Sequence, residues 1–242
     1  MKTLLFLVIV IFSGFSAGII HGLVNLVVVE PFLDKAIGIE NQNMFGTGET
    51  RETPDFWQKF DAYRMWQKEG EVLAGGILGL ASGALFGLVF AYVRGSLPSN
   101  NDVKKALLLC SIMLLVIFFI PFLKYPANPP AVGDTNTISF RQSIYSEFIA
   151  LSGLGALGFS VLYKKLGSSK KLIAPLGYTI FITIAFLLMP DNPDKITISM
   201  DLVNQFRIAS LITVTISWIA NALILGALWQ RFQPHITRQQ IQ

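Results

Sequence analysis

The residues with the clearest chemical potential lie at one end of the first apolar segment. His21 and Asn25 interrupt a run that is otherwise apolar from Leu4 to Val29, and Glu30 follows directly. On a helix, positions i and i+4 share a face, so this imidazole and this amide lie side by side. Histidine is unfavourable in hydrocarbon, and its presence there indicates a functional site when a partner can be named.

A metal ion is one ligand that suits this group. Glu147 is predicted in the first turn of the fourth apolar segment, at a depth similar to that of His21. A mixed nitrogen and oxygen set suits Co²⁺, Ni²⁺ or Zn²⁺ better than Ca²⁺ or Cu⁺. The candidate metal ligands are therefore His21, Asn25, Glu30 and Glu147. In the competing interpretation, His21 and Asn25 hydrogen-bond to other helices as packing contacts, while Glu147 pairs with Arg141.

Composition indicates a polytopic membrane protein. Hydrophobic residues make up 52% of the 242 residues and charged residues only 14%, whereas soluble domains are about a quarter charged. A single cysteine, Cys110, excludes an intrachain disulfide and a cysteine-rich metal centre. The sequence contains neither a P-loop nor the H-E-x-x-H motif of metalloproteases. We therefore predict a protein that is not an enzyme, with no resident cofactor and no nucleic-acid partner.

Six apolar segments predict an all-α membrane helix bundle that forms one transmembrane domain over residues 1–242. The predicted helices cover residues 4–29, 72–93, 105–123, 144–163, 172–189 and 208–229. The first segment also has features of a signal peptide, because Lys2 precedes it and Ser16 and Ala17 imitate a cleavage site. Since the apolar run continues to Val29, we expect a retained helix.

Basic residues mark one side of the predicted bundle. They are Arg94, Lys104, Lys105, Lys164, Lys165, Lys170, Lys171, Arg231 and Arg238. Because basic loops remain in the cytoplasm, both termini are predicted to be cytoplasmic in a multi-pass protein of the cell membrane. Most acidic residues fall in the opposite loops, where they would raise the local concentration of cations.

The longest outer segment, residues 30–71, contains its own helix signal. Thr53, Pro54 and Asp55 are typical of an N-cap, a first-turn proline and an acidic first turn. Phe56 and Phe60 then recur on one face. This pattern predicts an interfacial helix that leads into the second transmembrane helix.

Repeated motifs predict that the six helices form three helical hairpins. Residues 104–107 match residues 170–173, and Phe140-Arg141 matches Phe206-Arg207, both at an offset of 66. A Pro-x-Asn-Pro turn at 126–129 returns at 190–193. Hairpin repeats of this kind occur in transporters, although they do not prove transport.

Glycine spacing predicts which helices pack most closely. The second helix has glycines at every fourth position from Gly75 to Gly87, and the first has them from Gly14 to Gly22. Small residues at this spacing let helix backbones approach each other in lipid. The fourth helix is also rich in small residues, so we predict an inner position for it. The third and fifth helices are mostly large apolar residues and are predicted to face lipid.

Five stretches of the sequence resemble the CbtA family. They are HGLVNLVVVEPFLDKAIGIEN at 21–41, FDAYRMWQ at 60–67, PFLKYPANPP at 121–130, MPDNPD at 189–194 and MDLVNQFR at 200–207. The similarity runs nearly end to end. It implies a subunit of a probable cobalt transporter, found in cobalamin-related settings with a small partner, CbtB. That partner is a single-span protein with a histidine-rich end.

The resemblance thus implies import of Co²⁺ as cargo, together with a CbtB-like subunit that could supply further ligands. A homo-oligomer within the lipid bilayer is a further possibility. The residues themselves leave two alternatives open. One is a membrane scaffold or assembly subunit without its own metal site, and the other is a transporter of another small solute. The chain lacks the H-x-x-x-x-D-H motif of better-known nickel/cobalt permeases, so their mechanism does not transfer.

Overall fold

The computed structural model describes residues 2–235, so Arg238 lies outside the described residues. Over this range the chain is helical, with no β-strand. The helices are α1 (Thr3–Val28), α2 (Glu30–Thr47), α3 (Pro54–Val93), α4 (Asp102–Met113), α5 (Ile120–Lys124), α6 (Ile138–Lys165), α7 (Ile173–Leu188) and α8 (Met200–Phe232). A π-helical segment, Leu114–Phe119, joins α4 to α5. These elements confirm the all-α prediction.

Six stretches within the described range are helical, long and apolar enough to cross a membrane. They are Thr3–Val28, Pro54–Ser96, Asp102–Lys124, Thr135–Lys165, Ser168–Leu188 and Met200–Phe232. Each contains one of the six predicted segments almost entirely. The helices extend beyond the predictions at several ends because polar residues continue the helix past the apolar stretch.

The chain divides into two compact units, which we describe separately. The first unit comprises Met1–Ser111, Pro129–Ala131 and Asp201–Gln242. The second comprises Ile112–Asn128 and Val132–Met200. Helices α1, α2, α3 and α8 therefore belong to the first unit, and α6 and α7 belong to the second.

The glycines of α1 and α3 bring two helix backbones into direct contact in the first unit. A Cβ atom added to Gly18 would lie 2.2 Å from the Gly75 carbonyl oxygen. One added to Gly14 would lie 2.5 Å from the Gly79 carbonyl oxygen. Because no side chain could be accommodated there, this geometry confirms the predicted close packing of the first two transmembrane helices.

The segment between α1 and the second transmembrane helix differs in detail from the prediction. Thr53 caps α3 as expected, since its hydroxyl oxygen accepts a hydrogen bond of 3.2 Å from the Phe56 backbone N–H. The helix then continues through Gly70 as one element of 40 residues, so the helix predicted before Gly70 and the second transmembrane helix are a single helix. One glycine costs a helix only about 1 kcal/mol. A second helix, α2, occupies much of the remaining segment and ends at Gly48, where φ is 77°.

Helix α2 continues the antiparallel pairing that α1 makes with α3. The Phe45 ring near the end of α2 lies 5.0 Å from Phe56 and 5.8 Å from Trp57, centroid to centroid, near the start of α3. Helix α8 completes this part of the first unit. Its Trp229 packs edge-on against Phe6 of α1 and Phe90 of α3.

A hydroxyl group supports the π-helical segment in the second unit. In a π-helix the carbonyl of residue i accepts from the N–H of residue i+5. For Val116 that residue is Pro121, which has no N–H. Ser152 of α6 supplies the missing donor, with its Oγ 2.6 Å from the Val116 carbonyl oxygen. The Tyr178 hydroxyl of α7 donates in turn to Ser152, at 2.9 Å.

The burial of two transmembrane helices differs from the prediction. The stretch Asp102–Lys124 has the largest buried share of the six, 44%, whereas the stretch containing α6 has only 17%. Burial in the third helix follows partly from Gly226 of α8, where an added Cβ would lie 2.8 Å from the Val103 Cα. In α6, Gly153 and Gly158 have no neighbouring atom within 4 Å of an added Cβ. Small residues alone therefore did not identify the buried helix.

Candidate functional site

Helix α1 places His21 beside α3 and α8 of the first unit. The next residue, Gly22, packs so closely on α3 that an added Cβ would lie 2.6 Å from the Val72 Cα. The imidazole makes a hydrogen bond with the backbone of Thr213 in α8. Its Nδ1 atom is buried and has no hydrogen-bond partner.

Asn25 brings a carboxylate to the same layer of the first unit. Its amide Nδ2 donates a hydrogen bond to Oε1 of Glu71 in α3. The second carboxylate oxygen, Oε2 of Glu71, is buried and has no hydrogen-bond partner. The Glu71 carbonyl oxygen also lies 3.0 Å from where a Cβ of Gly22 would be. Glu71 thus lies beside the pair that the sequence singled out.

These atoms provide suitable chemistry for a borderline divalent cation. A buried polar atom without a partner is unfavourable, and this layer contains two such atoms, Nδ1 of His21 and Oε2 of Glu71. Metal-binding histidines typically donate their other ring N–H to a carbonyl, which orients the ring. His21 likewise has a backbone contact, at Thr213 of α8. An imidazole nitrogen and a carboxylate oxygen are both donors that such a cation accepts.

Glu30 occupies a different environment from the one expected of a free ligand. Its Oε2 lies 2.5 Å from the Arg64 guanidinium and 3.6 Å from the Lys68 ammonium, both of α3. Arg64 also contacts Asp34 at 2.8 Å, and Lys68 contacts Asp34 at 2.7 Å. The carboxylate of Glu30 is therefore paired with cations that belong to the protein.

The same cations govern the titration of Asp34, which lies outside the membrane-spanning stretches. Partial burial acts to raise the pKa of this carboxyl, but hydrogen bonds from Lys68 and Arg64 and their positive charges outweigh it. The pKa of Asp34 consequently lies below its ordinary value. The acid remains ionised and paired at neutral pH.

Glu147 lies in the second unit and is exposed. Arg141, its expected partner in the packing interpretation, instead contacts Asp194 at 2.8 Å and donates to the Asp134 carbonyl oxygen at 3.1 Å. That expected pair is wrong, because Asp194 is a completely buried carboxylate and burial without a cation would be highly unfavourable. The predicted four-residue ligand set stays a prediction. Within residues 2–235 no group of three histidine, cysteine or acidic side chains could hold a metal ion.

Sequence reasoning did not single out Glu71 as a site residue, although a signal was present. Glu71 precedes Gly75 by four residues and so extends the glycine face of α3 by one turn. An acid on that face must meet α1 near Asn25, because the two helices run antiparallel. The role of Thr213 had no comparable signal, since it depends on where α8 packs.

The second histidine has a different environment. The Trp229 indole N–H donates to Nδ1 of His235 at 3.2 Å, and the two rings stack. Burial lowers the pKa of His235, and the neighbouring Arg94 lowers it further. Because its Nδ1 lone pair is already used, His235 is a poorer metal-ligand candidate than His21.

Comparison with known proteins identifies the family of this chain. Neither a curated protein nor a solved structure matches the chain. The family model described as "Probable cobalt transporter subunit (CbtA)" matches residues 3–230, nearly the whole chain. That range includes all six long apolar helices except the last residues of α8. The chain therefore belongs to the CbtA family of probable cobalt transporter subunits.

Proposed function

We propose that this chain is the membrane subunit of a Co²⁺ uptake transporter and that His21, Asn25 and Glu71 form its cation site. The observation that carries the proposal is the pair of unpartnered buried atoms, Nδ1 of His21 and Oε2 of Glu71. Family membership supplies the cargo. The residues supply a nitrogen and oxygen set that Co²⁺ accepts.

The positive-inside rule supports an orientation for this site. With cytoplasmic termini, His21 lies about 25 Å along α1 from the inner surface, in the outer third of the bilayer. Cations would approach from the acidic outer face of the cell membrane. The His21 nitrogen, the Glu71 carboxylate and the Asn25 amide together bind a cation weakly. Weak binding suits a site that must release its ion.

A partner subunit would complete the coordination. The family description names a subunit, and we propose a small, single-span, histidine-rich protein of the CbtB kind as its partner. Histidines from such a protein would add the nitrogen ligands that the described residues lack. Cobalt delivered in this way would supply cobalamin synthesis.

Uptake of radioactive cobalt tests the proposal. Cells that express the chain with its partner should accumulate ⁵⁷Co²⁺, and His21→Ala or Glu71→Gln should reduce the initial rate at least tenfold. Glu71→Gln keeps the oxygen that accepts from Asn25 and removes only the charge. His235→Ala is the matched control, because it removes the other histidine. Normal uptake by His21→Ala at equal membrane abundance would refute the site.

The absence of a three-ligand group within residues 2–235 favours one alternative, a scaffold subunit whose partner carries the metal. In that case the purified chain would bind no Co²⁺, and uptake with the partner would not depend on His21 or Glu71. A transporter of another small solute would instead show His21-dependent transport without cobalt uptake. Glu147→Gln belongs in the same series, because a loss of uptake would restore Glu147 to the ligand set.

A further inference from the structure

We propose that Arg64 is a tethered cation that competes electrostatically with the transported ion and thereby sets its affinity and release. This inference rests on the proposed cation site at His21, Asn25 and Glu71. It assigns an affinity-determining role to a residue outside that site.

Arg64 is enclosed by acceptors from α2 and from its own helix. One guanidinium nitrogen contacts Glu30 at 2.5 Å and Asp34 at 2.8 Å, and the other donates to Gln67 at 2.7 Å. The exposed fraction is 10% for the Arg64 side chain and 9% for that of Glu30. The Nε atom of Arg64 is buried without a partner. This cation is therefore held inside the protein, next to the carboxylates.

The network adjoins the proposed cation site. Arg64 and Glu71 lie seven residues apart on α3, two turns along one face and about 10 Å in rise. Glu30 follows Asn25 by five residues. Glu71 lies within electrostatic range of Glu30, Arg64 and Lys68. A charge that arrives at Glu71 therefore acts on the whole network.

Charge balance determines the direction of the effect. Three carboxylates (Glu30, Asp34 and Glu71) face two cations (Arg64 and Lys68), which leaves one net negative charge. A bound divalent ion changes this to one net positive charge. Repulsion between that ion and Arg64 weakens binding, because charges about 10 Å apart interact strongly where water is limited. The same repulsion favours release.

Arginine suits this role better than its neighbour Lys68. A guanidinium does not lose its proton within proteins, whereas a lysine ammonium can be neutralised when it is enclosed. The side chain of Lys68 is 39% exposed, so it can turn toward water when a cation binds nearby. The buried side chain of Arg64 cannot turn toward water in this way. Its charge therefore remains near the site throughout the transport cycle.

Equilibrium binding of Co²⁺ to the purified protein tests the inference. Arg64→Gln should tighten the Kd at least tenfold and slow uptake at saturating Co²⁺, because release becomes harder. Damage to the fold would weaken binding instead, so tighter binding cannot result from misfolding. Arg64→Lys keeps the charge, because the carboxylates of Glu30 and Asp34 would hold the ammonium protonated, and should leave the Kd within about threefold of the wild type. Lys59→Gln removes a cation from an exposed pair with Asp55 on the same helix and should change nothing.

Two further variants keep the test decisive if Arg64→Gln does not fold. Glu30→Gln alone should weaken binding, and adding Arg64→Gln to it should recover at least tenfold in affinity. The double variant removes both members of the buried pair, so it leaves no unpaired charge. A folded Arg64→Gln or double variant without the gain would refute the role of Arg64. If the wild type itself neither binds nor transports Co²⁺, the proposed function fails, which is a different result.

Discussion

Glycine serves two different kinds of helix contact in this protein. Between α1 and α3, an added Cβ at Gly14 or Gly18 would strike backbone atoms. Between α6 and α7, an added Cβ at Gly155 would strike the Phe181 ring at 2.5 Å, and one at Gly177 would strike the Phe159 ring at 2.6 Å. A ring can turn, but a packed backbone cannot. The same residue type therefore marks a rigid contact at Gly14 and Gly18 and an adjustable one at Gly155 and Gly177.

The largest effect is expected where backbones touch. Gly18→Ala should destabilise the protein by about 3 kcal/mol or more, because its Cβ would lie 2.2 Å from the Gly75 carbonyl oxygen and the two helices would have to separate. Thermal unfolding in detergent measures this. Gly158→Ala is the control, since nothing lies within 4 Å of its added Cβ. Equal unfolding temperatures for the two variants would contradict the distinction.

A smaller effect is expected where a ring fills the space. Gly155→Ala should cost about 1–2 kcal/mol, because the Phe181 ring must move away from the new methyl group. Phe181→Leu in the same chain should recover part of this loss. A double-mutant cycle of unfolding free energies measures the coupling. Strictly additive changes in unfolding free energy would show that the Phe181 ring does not fill the space beside Gly155.

Loss of one hydroxyl should have a comparable or slightly smaller effect in the second unit. Ser152→Ala leaves the Val116 carbonyl without a donor, at a cost of about 1–2 kcal/mol. Pro121→Ala restores an N–H to the helix, so Ser152→Ala should cost less in that background. The free energies of unfolding of the wild type, the two single variants and the double variant, measured under one condition, give the difference. The same loss in both backgrounds would show that Pro121 is not the reason why the Val116 carbonyl lacks a backbone donor.

The smallest effect should appear in the pairing of α2 with α3, which depends on ions as well as rings. The pKa of Asp34 lies below its ordinary value of about 4. Its contribution is therefore complete above that value and is lost as the pH falls through the lower pKa of the folded state. Hydrogen exchange of α2 amides should accelerate there relative to Asp34→Asn at the same pH. Parallel profiles for the two proteins would rule out this contribution.

The sequence predicted best what depends on residues close together along the chain. The glycine spacing and the Thr53 cap are local patterns, and both were confirmed. Helix α2 was not predicted. Pro31 directly follows Glu30, and a helix usually ends at or before the residue that precedes a proline. A proline in the first turn equally favours the start of a helix, and here it lies in the first turn of α2.

The candidate site was predictable in part for the same reason. His21 and Asn25 were found from their own spacing, whereas the contact between Asn25 and Glu71 spans 46 residues. That contact follows from the register of α1 against α3, which the glycine positions determine. The pairing of Glu30 with Arg64 spans 34 residues and has no glycine to mark it. The sequence alone does not give the register of α2 against α3. It therefore could not show that Glu30 is already paired with Arg64.

The antiparallel pairing of α1 and α2 with α3 has a consequence for biogenesis. All contacts between these helices lie within the first 93 residues, so they can form before α4 has left the ribosome. One face of the paired α1, α2 and α3 then stays uncovered until α8 has been synthesised, because Trp229 of α8 packs against Phe6 and Phe90. Substitutions in α8 should therefore leave membrane insertion intact and instead expose a half-assembled intermediate to cellular proteases.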